Sequence, residues 1–387
     1  VAIDLVAIGV PGVPRGRAPY TGDFAGRAGR IRTRRRTSMS HDDPTQQALA
    51  HAFDSGAVAV PAAGPITALR ARVGAGLFRL PAARTHCEQS FRPYAAALEQ
   101  LHYAVAADAD ASRDGGQALV VVLPPRQRDE SRALLARALA LAAPGAVVLA
   151  VQANDEGARS LQADLSQLAG PVEHLSKHKC RVVWCRRDDA AIDAALLAQW
   201  RALDEVRPIA DGAWLSRPGL FAWDRVDAGS ALLAAQLPPE LAGRAADLGA
   251  GYGYLACELV RHCPGIVAVD LYEAEARALE PARGNLARLE RAVECNVHWH
   301  DVAAGVPARF DVIVSNPPIH QGRAEQPALG RRFIEVAADA LEPAGQLWLV
   351  ANRHLPYEAT LAARFDQVRT VVDRHGYKVM HAAGPRR

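Results

Sequence analysis

The sequence predicts an α/β protein built from two tandem doubly wound domains, the first a degenerate copy of the second. Three observations lead there. Apolar runs alternate with alanine-rich amphipathic runs along the chain, the pattern of buried parallel strands with helices on both faces. The length of 387 residues is too great for one ordinary domain and suits two. A motif order also recurs. In the second half a strand runs into Asn316-Pro317-Pro318, then a helix, then Pro343-Ala344-Gly345, then a strand ending in Val350-Ala351-Asn352. In the first half a strand runs into Leu123-Pro124-Pro125, then a helix, then Pro144-Gly145, then a strand ending in Gln152-Ala153-Asn154, so that Leu123 stands where Asn316 stands.

Along the chain, residues 1–40 form a separate extension. Residues 1–38 hold eight arginines against two acids, whereas the chain as a whole carries only +3. A Gly/Arg-rich head without periodicity is expected to be disordered. It reads either as a basic arm adding salt-sensitive affinity for nucleic acid or as an extension outside the working protein. Met39 is the first methionine and residue 1 is valine, which favours the second reading. Val1–Val13 carries Asp4 and has no basic region before it, and the polar run Ser40-His41-Asp42-Asp43 follows Arg34-Arg35-Arg36. Neither segment makes an export signal.

Residues 41–205 are expected to form the degenerate domain, with a helix over Glu130–Ala143 and strands over Ala118–Leu123 and Ala146–Val151. It shows no glycine-rich loop matching the one described below. Cys180 and Cys185 bracket a strand-like run at an odd separation, which puts them on opposite faces and excludes a shared metal. Six cysteines without a zinc spacing point to free thiols and a reducing cytoplasm. Lys177, Lys179 and Arg181 form a small basic cluster that is either solvated or tracks an RNA backbone. Pro208, Gly212 and Pro218 break the pattern between Trp200 and Pro218, and residues 206–387 form the second domain. Half the residues are apolar and 22% are charged, the profile of a globular protein with ample core. No apolar run is long enough for a spanning helix, and no membrane partner is expected.

In the second domain, Ala245-Ala246-Asp247-Leu248-Gly249-Ala250-Gly251-Tyr252-Gly253 sits between a strand and the helix Leu255–His262. Gly249, Gly251 and Gly253 permit a tight turn and let a ligand approach the backbone at a helix N-terminus. A dinucleotide fingerprint is also satisfied and is weak by itself. Asp247, two residues before the first glycine, suits a cationic amino-acid ligand better than a pyrophosphate. Asp270, expected to end a strand over Ile266–Val269, could accept both ribose hydroxyls. Asp301, closing an expected strand over Val297–Trp299, would meet an adenine amino group. Together these favour S-adenosylmethionine as cofactor.

Ser315-Asn316-Pro317-Pro318-Ile319-His320 follows the expected strand Phe310–Val314, at the edge where α/β sheets bind ligands. An exocyclic base amine is a poor nucleophile because its lone pair is delocalised into the ring. The Asn316 side-chain oxygen and the Pro317 carbonyl can accept both N–H groups, drawing the nitrogen toward tetrahedral geometry, while Pro317 and Pro318 fix the turn. The methyl then passes from a cationic sulfur in line to nitrogen, with no metal needed. An ordinary turn is the alternative for Asn-Pro-Pro. Its place after a glycine-rich loop and at a strand end argues against that.

From about Pro218 to Ala382 the chain resembles the bacterial ribosomal RNA (guanine-N2) methyltransferases of the RsmC/RlmG family. The matching residues are Pro218-Gly219-Leu220-Phe221 with Asp227-Ala228-Gly229-Ser230, Asp247 through Gly253, Ser315 through His320, and Leu347 through Tyr357. The resemblance implies two tandem Rossmann-like methyltransferase domains, the first degenerate and helping to hold RNA. It implies N2-methylguanosine in rRNA as product, with small-subunit rRNA or the small ribosomal subunit as partner. One departure stands out. The family usually has an aromatic residue where this chain has Ile319, and that ring would stack on the extruded base. Phe221, Trp223 or His320 could supply the stacking instead.

His298 and His300 share a strand face, and with no third ligand in view are expected to be ordinary residues rather than a metal pair. His320 reads equally as base-orienting or as a solvated turn residue. Arg353, ending a strand at the same edge, reads as a phosphate contact or a surface salt bridge. Other readings stay open on the residues alone: N-methylation of adenine or of protein glutamine, and a non-catalytic RNA-binding assembly factor. A nicotinamide oxidoreductase would leave Asn-Pro-Pro unexplained. The oligomeric state is not legible.

Overall fold

In a computed structural model of the chain, the described residues are 43–107, 111–318, 320–321, 324–325 and 327–386. The expectations for residues 1–40 and for Ile319 lie outside them, and of His320 only the backbone is described.

The first sheet contains β1 (Ile66–Leu69), β2 (Thr85–Glu88), β3 (Ala104–Ala106), β4 (Gln117–Val122), β5 (Ala142–Ala153), β6 (Glu173–Lys177) and β7 (Cys180–Arg186). A short hairpin, β8 (Arg207–Ile209) with β9 (Trp214–Ser216), leads to the second sheet. That sheet contains β10 (Ala242–Leu248), β11 (Gly265–Glu273), β12 (Glu294–Trp299), β13 (Phe310–Ser315) and, beyond the small hairpin of β14 (His320–Gln321) and β15 (Ala324–Glu325), β16 (Leu341–Asn352), β17 (Phe365–Arg374) and β18 (Tyr377–Pro385). The orders are β3-β2-β1-β4-β5-β7-β6 and β12-β11-β10-β13-β16-β18-β17, which are the same order written twice. In each, the last strand inserts antiparallel beside the fifth. Two tandem doubly wound α/β folds are therefore present, as the sequence predicts.

Helices α1 (Pro44–Asp54), α2 (Arg92–Gln100), α3 (Arg128–Leu141), α4 (Ala158–Ala169) and α5 (Ala194–Arg201) accompany the first sheet. Helices α6 (Ala228–Ala234), α7 (Tyr254–His262), α8 (Leu279–Leu286), α9 (Pro327–Ala340) and α10 (Glu358–Arg364) accompany the second. Both faces of each sheet are covered, which is why the central strands read as continuous apolar runs rather than alternating ones. In β4, Leu119 and Val121 belong to one core layer and Val120 and Val122 to the other. Cys180 and Cys185 divide between the same two layers, as their odd spacing requires, and all six cysteines are free thiols. No helix among the described residues is long and apolar enough to cross a membrane.

One boundary differs from expectation in a way that matters. The strand expected over Ile266–Val269 continues to Glu273, because pairing with β12 continues through Leu271↔Val297, Tyr272↔His298 and Glu273↔Trp299. Asp270 is consequently inside β11 rather than at its end.

Candidate active site

Leu248 ends β10 opposite Ser315 of β13, and the two strands deliver the glycine loop and Asn316 to the same sheet edge. Gly249, Gly251 and Gly253 all have positive φ (78°, 53° and 85°), a region closed to most side chains. At Gly249 a Cβ would also come within 3.2 Å of the Phe333 ring. The loop is held from below: the Gly249 and Ala250 N–H groups donate to the Tyr272 carbonyl at 2.9 and 3.2 Å. Asn285, buried in α8, donates to the Tyr252 carbonyl at 2.8 Å and so pins the loop to β9, whose Leu215 N–H it accepts at 2.7 Å.

Asp247 is fully buried under this loop. Its Oδ2 accepts the Ala256 N–H of α7 at 3.0 Å, and its Oδ1 has no partner among the described residues. Burial pushes its carboxyl up to about 7, against the Ala256 N–H and with the help of the Glu273 charge. Glu273, at the end of β11, accepts the Gly251 N–H on Oε2 at 2.7 Å and the Glu275 N–H on Oε1 at 2.8 Å. Burial raises its pKa too, with the backbone donors opposing. Two adjacent carboxyls that resist ionisation, one with an orphaned oxygen, suit a ligand that brings positive charge and hydroxyl donors.

Asn316 is anchored by its amide nitrogen. Nδ2 donates to Asp227 Oδ2 at 3.0 Å and to Ser230 Oγ at 2.9 Å. Asp227 also caps α6 by accepting the Ser230 N–H at 2.8 Å, so the anchor is itself tied to a helix end. With Nδ2 held by two acceptors, Oδ1 is the end of this amide suited to accept from a ligand. Pro317 is buried and Pro318 half-buried beside it. One cleft is lined by Gly249, Gly251, Tyr252, Asp227, Asn316 and Phe221, bringing glycine loop and amide together. Phe221 is 70% exposed at its rim, where its ring is open to a ligand.

Other expected site residues fare differently. Asp270 does not reach this cleft edge. Its carboxylate is committed to His298 Nε2 at 2.8 Å and Arg244 Nη2 at 3.2 Å inside the sheet, because the strand outruns it. Asp301 follows β12 and caps the next short turn, its Oδ1 accepting the Ala303 N–H at 2.9 Å. Arg353 is exposed and its Nε meets Asp373 Oδ1 at 2.5 Å, the surface salt bridge weighed from sequence. His298 stacks on Tyr272, and His300 donates from Nε2 to the Gly305 carbonyl at 2.5 Å. Among the described residues no cluster of three His, Cys, Asp or Glu side chains is arranged to hold a metal.

Glu273 was missed from sequence and could have been found only by extending β11 through its aromatic. Asp227 and Ser230 stand among the residues that carry the resemblance, but their role was not legible, because nothing local ties a helix cap to an amide 89 residues away. In the first domain the counterparts are altered: register places Leu123 at the position of Asn316, Arg70 at that of Gly249, and Gln89 at that of Glu273. The degeneracy expected from the sequence is thus a loss of amide, glycine and carboxylate together.

A family model described as the methyltransferase small domain matches residues 212–381. Ribosomal RNA small subunit methyltransferase C of Pectobacterium atrosepticum is 31% identical over 79% of this chain and 86% of its own. The protein of the same name from Pseudomonas aeruginosa is 32% identical over 69% of this chain and 80% of its own. Among solved structures, the T. thermophilus 16S rRNA N2 methyltransferase RsmC in complex with AdoMet and guanosine superposes with a TM-score of 0.73, covering 88% of this chain and 92% of that one at 25% identity. With fold, loop and Asn-Pro-Pro edge in agreement, this chain belongs to the ribosomal RNA small subunit methyltransferase C family.

Proposed function

We infer that this chain transfers a methyl group from S-adenosylmethionine to the exocyclic N2 amine of a guanine in 16S rRNA. The observation that carries this reading is the Asn316 amide, anchored by its nitrogen and lining the same cleft as the glycine loop. Its relatives' names and the bound AdoMet and guanosine of the structural relative support it.

Asp247, Gly249, Gly251, Gly253, Glu273 and Asp301 would hold the cofactor, which when bound supplies an electrophilic methyl on a cationic sulfur. Asn316 Oδ1 and the Pro317 carbonyl accept the two amine hydrogens, aligning the nitrogen lone pair, and Pro318 keeps the turn rigid. Asp227 and Ser230 hold the amide so that its acceptor, not its donor, faces the base. Phe221 covers the extruded guanine, and Ile319, His320 and Arg353 are further candidates for contact with the substrate. Residues 206–387 carry this chemistry, and residues 41–205 act as a degenerate supporting domain for RNA. The partner is rRNA or the small subunit, which places the enzyme in the cytoplasm.

Nucleoside mass spectrometry of rRNA from a strain lacking the gene tests the reaction. One N2-methylguanosine should disappear and return with the wild-type gene but not with Asn316→Ala. Unchanged rRNA would sink the guanine-in-rRNA reading.

Phe221→Ala should raise KM for RNA about tenfold, within the range of base–aromatic stacking, while Phe221→Trp keeps it low. An unmoved KM in steady-state assays would remove Phe221 from the site.

Cofactor affinity should depend on pH through Asp247. With its pKa near 7, the free protein holds a proton there over a range in which the unfolded chain, at 3.8, has lost it. Stability of the free protein therefore falls as pH rises through that window. A cationic ligand favours the ionised form, so binding releases a proton and strengthens with pH up to about 7 before levelling. Calorimetry in buffers of different ionisation enthalpy reads the proton directly, and Asp247→Asn should abolish the slope.

A further inference from the structure

The two sheets meet through equivalent loops. Phe91, two residues past Gln89, bridges antiparallel to Glu275, two residues past Glu273. Arg92 donates its N–H to the Ala274 carbonyl and Ala276 donates its N–H to the Ser90 carbonyl, both at 2.8 Å. The contact is self-complementary about a local two-fold, as between copies of one chain. Trp299 Nε1 adds donation to both Ser90 O and Ala274 O at 2.9 Å, with the Arg92 guanidinium over its ring at 4.8 Å.

The two-fold relation of the backbone is not kept by the side chains, and Arg70 is the clearest case. Arg70 stands at the position of Gly249 and keeps its left-handed backbone, φ 54°, although it is not glycine. Its side chain pairs with Ser90 and Glu130 of its own domain and also reaches across to the second. Arg70 Nη1 meets Glu275 Oε2 at 3.1 Å, and Nη2 pairs with Glu130 of α3. Glu130 also lies 3.1 Å from Arg277, whose Nη2 donates to the Pro218 carbonyl at 2.7 Å, at the root of the Phe221 loop. Glu275 in turn supplies the backbone N–H that fixes Glu273 Oε1.

We propose that the altered cofactor loop of the first domain positions the cofactor carboxylate of the second: Arg70, through Glu275, holds Glu273 where ribose hydroxyls meet it. Arg70 is a positioning residue. The first domain is thereby part of the S-adenosylmethionine site, beyond any hold it has on RNA. A guanidinium that gives one nitrogen to buried Glu130 and the other to half-buried Glu275 fixes both distance and angle, which a lysine reproduces only in charge. The inference rests on Glu273 being a cofactor ligand.

Calorimetry of S-adenosylmethionine with the full chain tests it, using wild type, Arg70→Met, Arg70→Lys, Glu275→Gln and the double variant Arg70→Met/Glu275→Gln. Arg70→Met is expected to weaken binding about tenfold, with partial recovery in Arg70→Lys. The double variant should bind no more weakly than Arg70→Met, because both act through one contact. In turnover, KM for S-adenosylmethionine should rise while kcat at saturation and KM for RNA stay within about threefold, a split that general destabilisation would not give. Arg70→Met binding within twofold of wild type, additive losses in the double variant, or equal shifts in kcat and both KM values would overturn the proposal. Should Arg70→Met lack a cooperative melt, Glu275→Gln carries the same test. A wild type that does not bind S-adenosylmethionine would instead overturn the cofactor site itself.

Discussion

Asn316→Ala is expected to lower kcat about 1000-fold with little change in the Kd of S-adenosylmethionine. The basis is the cost of removing one preorganised hydrogen-bonding group aimed at developing charge. As the guanine amine attacks, its nitrogen becomes positive and its N–H groups become stronger donors. An acceptor already in place gains most at that moment, so its loss falls on kcat rather than on binding. The geometry adds a second arm. Asp227 holds the Asn316 amide by Nδ2 at 3.0 Å, so Asp227→Ala should cost less, about 10- to 100-fold, by letting the amide rotate. The Asn316→Ala/Asp227→Ala pair should be no slower than Asn316→Ala, since Asp227 works through that amide. Single-turnover kinetics on unmodified rRNA measures all three. A double variant markedly slower than Asn316→Ala would mean Asp227 has its own contact with the reacting base.

Glu273→Ala is expected to raise the Kd for S-adenosylmethionine about 100-fold, the scale of hydrogen bonds made to a charged group. Asp270→Ala should change it by no more than a few-fold. The difference follows from where each carboxylate is spent. Glu273 lies at the end of β11 against the glycine loop, its oxygens held by the Gly251 and Glu275 backbone N–H groups. Asp270 is buried within the strand and fully engaged by His298 and Arg244. Its loss should appear as stability, about 1–2 kcal/mol after allowing for the half-exposed Arg244. Calorimetric titration beside thermal melts separates the two. A large Kd change in Asp270→Ala with an unchanged melt would restore the assignment that the sequence alone suggested.

That pair of variants marks where reading the sequence stops. The two-domain α/β architecture was legible because buried parallel strands and amphipathic helices have local periods, and each domain repeats them. Gly249, Gly251 and Gly253 were legible because only glycine accepts those backbone angles cheaply. Asn316-Pro317-Pro318 was legible because its chemistry is carried by adjacent residues. The degenerate partners were half legible: Leu123 at the place of Asn316 showed in the motif order, whereas Arg70 and Gln89 emerged only from strand register.

What the chain could not announce is what depends on contacts far apart in sequence. Strand ends are set by pairing with neighbours, so β11 runs past Asp270 to Glu273 because β12 continues to pair with it. The orientation of Asn316 depends on a helix cap 89 residues away. The link from Arg70 to Glu275 spans 205 residues and forms only once two folded domains meet. Local propensity and residue chemistry therefore decided the fold class and the kind of reaction. Long-range packing, in which the energy of one side chain depends on a distant one being in place, decided which carboxylate and which face of an amide could serve it.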